Sequence, residues 1–280
     1  MPAIAAWKIL VPAAGIALVA FLTVRPGNFP LSGELGVPTP AVANRHSQLG
    51  YLVAQELPDS VALLPPPPQA GSAAMKLDEE DRSAALLLHG SPRYALAASD
   101  ADRDQAATAA AFQCAFGTEI SAGRTPTLYT LLAKVRLDVR AASYVAKAHF
   151  HRERPFAVHN SHTCYPSDEQ NVRSDGSYPS ARGAVGWSFA LVLSDLNPGR
   201  AGQIMQRGRD FLQSRIICDE EWQSDVDAGR TIAQATLQHI YQKPAFRSEL
   251  SKARAETAAA MESGKAPPGC QAERLALASR

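Results

Sequence analysis

Three stretches of this 280-residue chain carry side chains of the right type and spacing to hold an oxyanion and act on it. The first is Lys147-Ala-His-Phe-His-Arg-Glu-Arg154-Pro155-Phe156. Lys147 and Arg154 stand seven residues apart, two turns on one helical face, so both cations can converge on one anion. The second is Gly176-Ser-Tyr-Pro179-Ser180-Ala181-Arg182, which reads as a turn leading into a helix N-terminus, where free backbone N–H groups favour negative charge. The third runs from Ser214-Arg215 through Glu221 to Asp225. Glu221 and Asp225 are spaced i, i+4, side by side on one helix. Paired carboxylates can share a proton, raising one pKa and supplying an acid.

The elements that must position these residues read as helices. Ala is abundant, aromatic residues are only 7 % and β-branched runs are few. Thr125-Pro126 opens a helix that runs to about residue 150, with Leu128, Leu131, Leu132, Val135, Val139 and Ala142 at helical spacing. Residues 164–178 read as a polar loop. A helix then opens near Ser180 and carries Val185, Phe189, Val192 and Leu193. Asn197-Pro198 opens another through about Phe211. Further helices cover about Trp222 to Tyr241 and 245 to 262. Upstream, helices are expected from the acidic start Asp78–Asp81 and over Ala101 to Phe116, with Gly117 as C-cap. The expected fold class is all-α, a single helical bundle over residues 49–262. A Pro/Gly-rich linker (26–48) precedes it and a flexible tail (263–280) follows.

Lys+Arg number 28 and Asp+Glu 27, a formal net charge of +1, so no global field draws in nucleic acid and any anion binding needs a local cluster. Residues 1–25 place Lys8 before an uncharged run from Ile9 to Val24. That is a signal sequence or an uncleaved membrane anchor, and either exports the domain to the periplasm or an equivalent compartment. Four widely spaced cysteines, Cys114, Cys164, Cys218 and Cys270, do not make a zinc knuckle. Export permits disulfides, and three pairings are open.

Taken together, the three stretches resemble the tripartite signature of the PAP2 superfamily: Lys-x6-Arg-Pro, Pro-Ser-Gly-His and Ser-Arg-x5-His-x3-Asp. The wording GSYPS, SRIIC and WQSDVDAGR looks most like the class A bacterial non-specific acid phosphatases, and the resemblance covers roughly residues 50–260. It implies an all-helical, exported phosphatase fold that uses neither metal nor cofactor. In that family a His of the third motif attacks phosphorus, an Asp four residues on orients it, and a His of the second motif protonates the leaving group. Carried over by position, Lys147, Arg154, Ser180 and Arg215 bind the phosphoryl oxygens, and Asp225 is the orienting carboxylate.

Both histidines depart from the pattern. Ala181-Arg182 stands for Gly-His, and Glu221 stands for the nucleophile. A guanidinium with a pKa of ~12 or higher is no general acid near neutral pH, and a carboxylate is repelled by a phosphate dianion. The expectation is a phosphatase-family protein that retains a phosphate or small-phosphoester pocket with little or no turnover. The alternative is altered chemistry through Glu221 and Asp225 or a nearby His. Arg182 and Glu221 are expected to form an ion pair across the pocket. The oligomeric state is open, a homo-oligomer included.

Other candidates read as structural. His149 and His151 point to different helical faces, and packing or surface roles are favoured. His159 and His162 lack further metal ligands. Asp219 and Glu220 read as acidic residues stabilising a helix start. Asp100, Asp102 and Asp104 diverge on a helix and do not make a calcium site.

Overall fold

The structure, a computed structural model, describes residues 50–279. The expected signal or anchor (1–25) and linker (26–48) lie outside the described residues. Those residues form helices α1 (Ser60–Leu63), α2 (Ala73–Leu86), α3 (Pro92–Ala101), α4 (Gln105–Phe116), α5 (Pro126–Phe150), α6 (Pro155–Val158), α7 (Glu169–Arg173), α8 (Ala181–Leu196), α9 (Ala201–Ile217), α10 (Gln223–Tyr241), α11 (Pro244–Glu262) and α12 (Cys270–Ala278). The all-α expectation holds, and no strand is present among the described residues.

The long helices form where sequence signals are strongest. α5 opens with Pro126 in its first turn and buries Leu128, Leu131, Leu132, Val135, Val139 and Ala142 on one stripe. α8 is the central helix: Phe189, Val192 and Leu193 are fully buried among Phe112, Phe211 and the face of α5. Ser180 caps it by accepting from the Gly183 N–H at 2.7 Å. α9 runs on to Ile217, past the expected end near Phe211, because Leu212, Ile216 and Ile217 continue the apolar stripe. α10 crosses the start of α8 at Gly229, where a Cβ would lie 2.5 Å from the Ser180 carbonyl oxygen. Only glycine admits that approach, and it brings the third motif against the second.

The C-terminus corrects the expectation of a flexible tail. Residues 270–278 form α12, tied by the disulfide Cys114–Cys270 to the end of α4. Glu273 on α12 also meets Arg207 at 3.3 Å. The tail's polar letters hide both restraints. The other pair is Cys164–Cys218, which closes the loop after α6 onto the end of α9.

Candidate functional site

Lys147 lies in the last turn of α5, and Arg154 is the N-cap of α6. They do not share a helical face as expected. His151 takes a left-handed conformation (φ 44°) and ends α5 between them. They converge nonetheless, by reaching to one turn. Lys147 Nζ donates to the Gly176 carbonyl at 2.5 Å and to that of Ser177 at 3.3 Å. Arg154 Nη2 donates to the Gly176 carbonyl at 3.2 Å, and its Nε to that of Val172 at 2.8 Å. Both side chains are buried. The turn that feeds α8 is therefore built on the two cations of the first motif.

Glu221 stands at the centre of the three motifs. Ser180 Oγ donates to its Oε2 at 2.5 Å, Arg215 Nε donates to the same oxygen at 3.3 Å, and Arg154 Nη1 lies 3.6 Å from its Oε1. Burial pushes the Glu221 carboxyl up, but Arg215, Arg154 and Lys147 outweigh it and hold the group at about 2. Arg215 also donates through Nη2 to Glu220, and its Nη1 is buried with no acceptor among the described residues. A carboxylate thus fills the inner cradle that three cations and a hydroxyl define.

Asp225 is not beside Glu221 on a helix. α10 begins at Gln223, so Glu221 precedes it. Asp225 instead accepts from the Trp222 N–H at 2.8 Å, closing the first turn, and its other oxygen accepts from Arg152 Nη1 at 2.6 Å. Burial raises its carboxyl to about 6, against the pull of Arg152 and the Trp222 N–H.

Arg182 does not pair with Glu221. It sits in the first turn of α8 and turns toward α3 and α4. There it donates to the Asp100 carbonyl at 2.8 Å, the Thr108 hydroxyl at 2.7 Å and the Asp102 carbonyl, and it lies over the Phe211 ring. Carbonyl oxygens at the C-terminal end of α3 carry the negative end of that helix and take the guanidinium in place of a carboxylate. Burial, then Arg215 nearby, pull its pKa down to about 9, which leaves it charged at neutral pH.

Arg182 and Glu221 still face one narrow pocket of about 40 Å³. Lys147, Arg154 and Asp175 line it as well. Arg215 and Ser180 do not line it; both bond Glu221, which does. Among the described residues no histidine lines it, and His149 and His151 are exposed. His159 bonds Glu79, and His162 bonds Glu169. No cluster of potential metal ligands exists among the described residues.

Four contributors escape sequence reading. Arg152 bridges Asp225 and Asp78, Asp78 accepts from Ser224, Glu220 neutralises Arg215, and Asp175 lies 3.5 Å from Arg154. Asp219 and Glu220 are not solvent-facing helix-start charges: Asp219 is buried and paired with Arg82 at 2.6 Å. The only advance signal is that Arg152 sits inside the first motif. Asp100 is held by Arg207 and Ser214 in a buried network.

The fold and pocket define an all-helical protein that concentrates cations around one oxyanion-sized position. Comparison with known proteins gives the family. The chain is 40 % identical over 211 residues to a non-specific acid phosphatase of Providencia stuartii, covering 75 % of this chain and 85 % of that one. It is 39 % identical over 203 residues to one of Salmonella typhi, covering 72 % and 81 %. It is 34 % identical over 209 residues to an acid phosphatase of Zymomonas mobilis, covering 75 % and 79 %. No protein-family model matches. The chain belongs to the non-specific acid phosphatase family.

Proposed function

We propose that this protein binds phosphate or a small phosphoester in the family's pocket and turns it over slowly or not at all. The observation that carries the reading is the Glu221 carboxylate, hydrogen-bonded to Ser180 and Arg215 in a pocket that no histidine of the described residues lines. By the motif resemblance, position 221 is the nucleophile's and position 182 the leaving-group acid's. A carboxyl held at about 2 is a weak base. Its charge repels a phosphate dianion, and loss of a nucleophile costs many orders of magnitude in rate. Arg182 stays protonated and its hydrogens go to the carbonyls of Asp100 and Asp102 and to the Thr108 hydroxyl, so it does not deliver a proton to a leaving group. Binding is supported by the excess of cations over carboxylates on the pocket wall.

The alternative, hydrolysis through Glu221 and Asp225 as an acid–base pair, has Asp225 turned to Arg152 and the Trp222 N–H instead of to the pocket. The two disulfides fit an exported, oxidising setting.

The test is hydrolysis of p-nitrophenyl phosphate from pH 4 to 8. The natural chain should show only trace turnover, and the variant Ala181→Gly/Arg182→His/Glu221→His should gain at least about 100-fold. Turnover at the level of an ordinary phosphatase, abolished by Glu221→Gln, overturns the reading.

A further inference from the structure

The pocket carries more positive charge than one phosphate position uses. Its wall includes Arg103, Arg136, Arg140, Lys147, Arg154 and Arg182, against the carboxylates of Asp175 and Glu221. Arg103 is neutralised by Asp168 at 2.5 Å. Arg136 and Arg140 have no carboxylate within ion-pair distance among the described residues. Arg136 donates to the Arg103 carbonyl at 2.6 Å, and Arg140 to the Tyr144 hydroxyl at 3.1 Å.

These residues form a ladder. Arg136, Arg140, Tyr144 and Lys147 follow one another at intervals of four, four and three along α5, so they share one face of the helix. At 1.5 Å per residue the stripe extends about 16 Å from the buried Lys147 to Arg136. Tyr144 is 41 % exposed, which puts solvent beside the middle of the ladder. Like charges four apart on a helix oppose its formation. Inside a concave wall they cost more, because the field is focused there. Burial, then Arg140, lower the pKa of Arg136, which reports the same crowding. Asp104 offsets part of that crowding, from beyond ion-pair distance.

We propose that Arg136 and Arg140 form a second anion subsite outward of Lys147 and Arg154, and that the ligand is a linear oligophosphate, free or esterified, rather than a single phosphate group. This rests on the inner pocket reading above and extends it. The inner phosphoryl group meets Lys147 and Arg154. The groups that follow extend along the stripe toward the guanidinium groups of Arg140 and then Arg136, whose planar forks suit bidentate contact with phosphate oxygens. With Glu221 repelling a fully seated inner group, the outer contacts supply most of the affinity.

The full chain is titrated calorimetrically with orthophosphate, pyrophosphate, tripolyphosphate and ATP, with Arg136→Gln/Arg140→Gln as the variant. Affinity should rise at least about 10-fold from orthophosphate to tripolyphosphate, and the double substitution should erase that gain. The variant's Tm should be unchanged or higher, since a like-charge pair is removed. Equal affinity for orthophosphate and tripolyphosphate overturns the subsite, as does tripolyphosphate binding untouched by the double substitution. If orthophosphate does not bind but tripolyphosphate does, and the variant loses it, the outer subsite stands and the inner reading fails. ATP matching tripolyphosphate assigns an esterified ligand, and ATP falling well below it a free one; both support the subsite.

Discussion

Arg152 and Asp225 meet at 2.6 Å with both side chains buried, and the same guanidinium reaches Asp78 at 2.7 Å. One cation thus ties α2 and α10 to the linker between α5 and α6. It also fixes the carboxylate that closes the first turn of α10.

Removing that cation leaves two buried carboxylates facing each other. Arg152→Ala should cost about 3–5 kcal/mol of unfolding free energy. Arg152→Lys should lose less, because a point-charge ammonium keeps the charge but not the fork that serves both acids. Denaturant unfolding at pH 7 measures both. An alanine variant within about 0.5 kcal/mol of the natural chain would show that the bridge does not hold the fold.

Glu221 stabilises the fold as an anion. Its folded pKa, about 2, lies below its ordinary value of 4.5, so the stability it adds is present above pH 4.5 and is lost as pH falls toward 2. Glu221→Gln should flatten that acid-side loss. The same change removes the negative charge that competes with a ligand for Arg215 and Ser180, so orthophosphate affinity at pH 7 should rise about 10-fold. Unfolding curves from pH 2 to 5 and phosphate titration read the two effects separately. Unchanged phosphate affinity would mean that Glu221 does not compete for the cradle.

Much of this was legible in the sequence, for reasons of period and spacing. α5, α8 and α11 follow from helical patterns with Pro or a capping residue at their starts, and α10 from its apolar stripe alone. The convergence of Lys147, Arg154, Ser180, Arg215, Glu221 and Asp225 follows from three ordered motifs. Partner choice among buried charges was not legible. Arg182 and Glu221 share a pocket, yet Arg182 goes to the carbonyls of Asp100 and Asp102 while Glu221 takes Ser180 and Arg215. Helical spacing also misled wherever the backbone breaks. His151 ends α5 before Arg154, and α10 starts after Glu221, so residues seven and four apart do not stack. The tail misled for a different reason, since Cys270 acts through a partner 156 residues away.

That distant crosslink sets a prediction for α12. Closing so long a loop restricts the unfolded chain by roughly 5 kcal/mol in the chain-entropy model. Cys114→Ser/Cys270→Ser should therefore lower Tm by several degrees and expose residues 264–279 to limited proteolysis. Arg207 would keep its bidentate hold on Asp100 but lose Glu273 as α12 lifts away. Protease resistance equal to the natural chain's would show that packing alone retains α12.

Lys147 gives the pocket an alkaline limit. Burial, then Arg154, pull its pKa from 10.5 to about 8, against Glu221 and Asp175. Below pH 8 it is charged and attracts an anion, and above pH 8 it loses that charge while the unfolded chain still holds the proton. Two opposite slopes follow. Between about pH 8 and 10.5 the ligand-free fold gains stability from this group as pH rises, because the unfolded state binds more protons. Anion affinity falls over the same range as Lys147 loses its charge. Sulfate is the suitable probe, since its charge is constant there. The sulfate-induced rise in Tm should be largest near pH 7 and shrink above pH 8, and Lys147→Gln should give a smaller rise that holds level to about pH 9. A natural chain whose sulfate effect is level from pH 7 to 10 would remove Lys147 from the binding site.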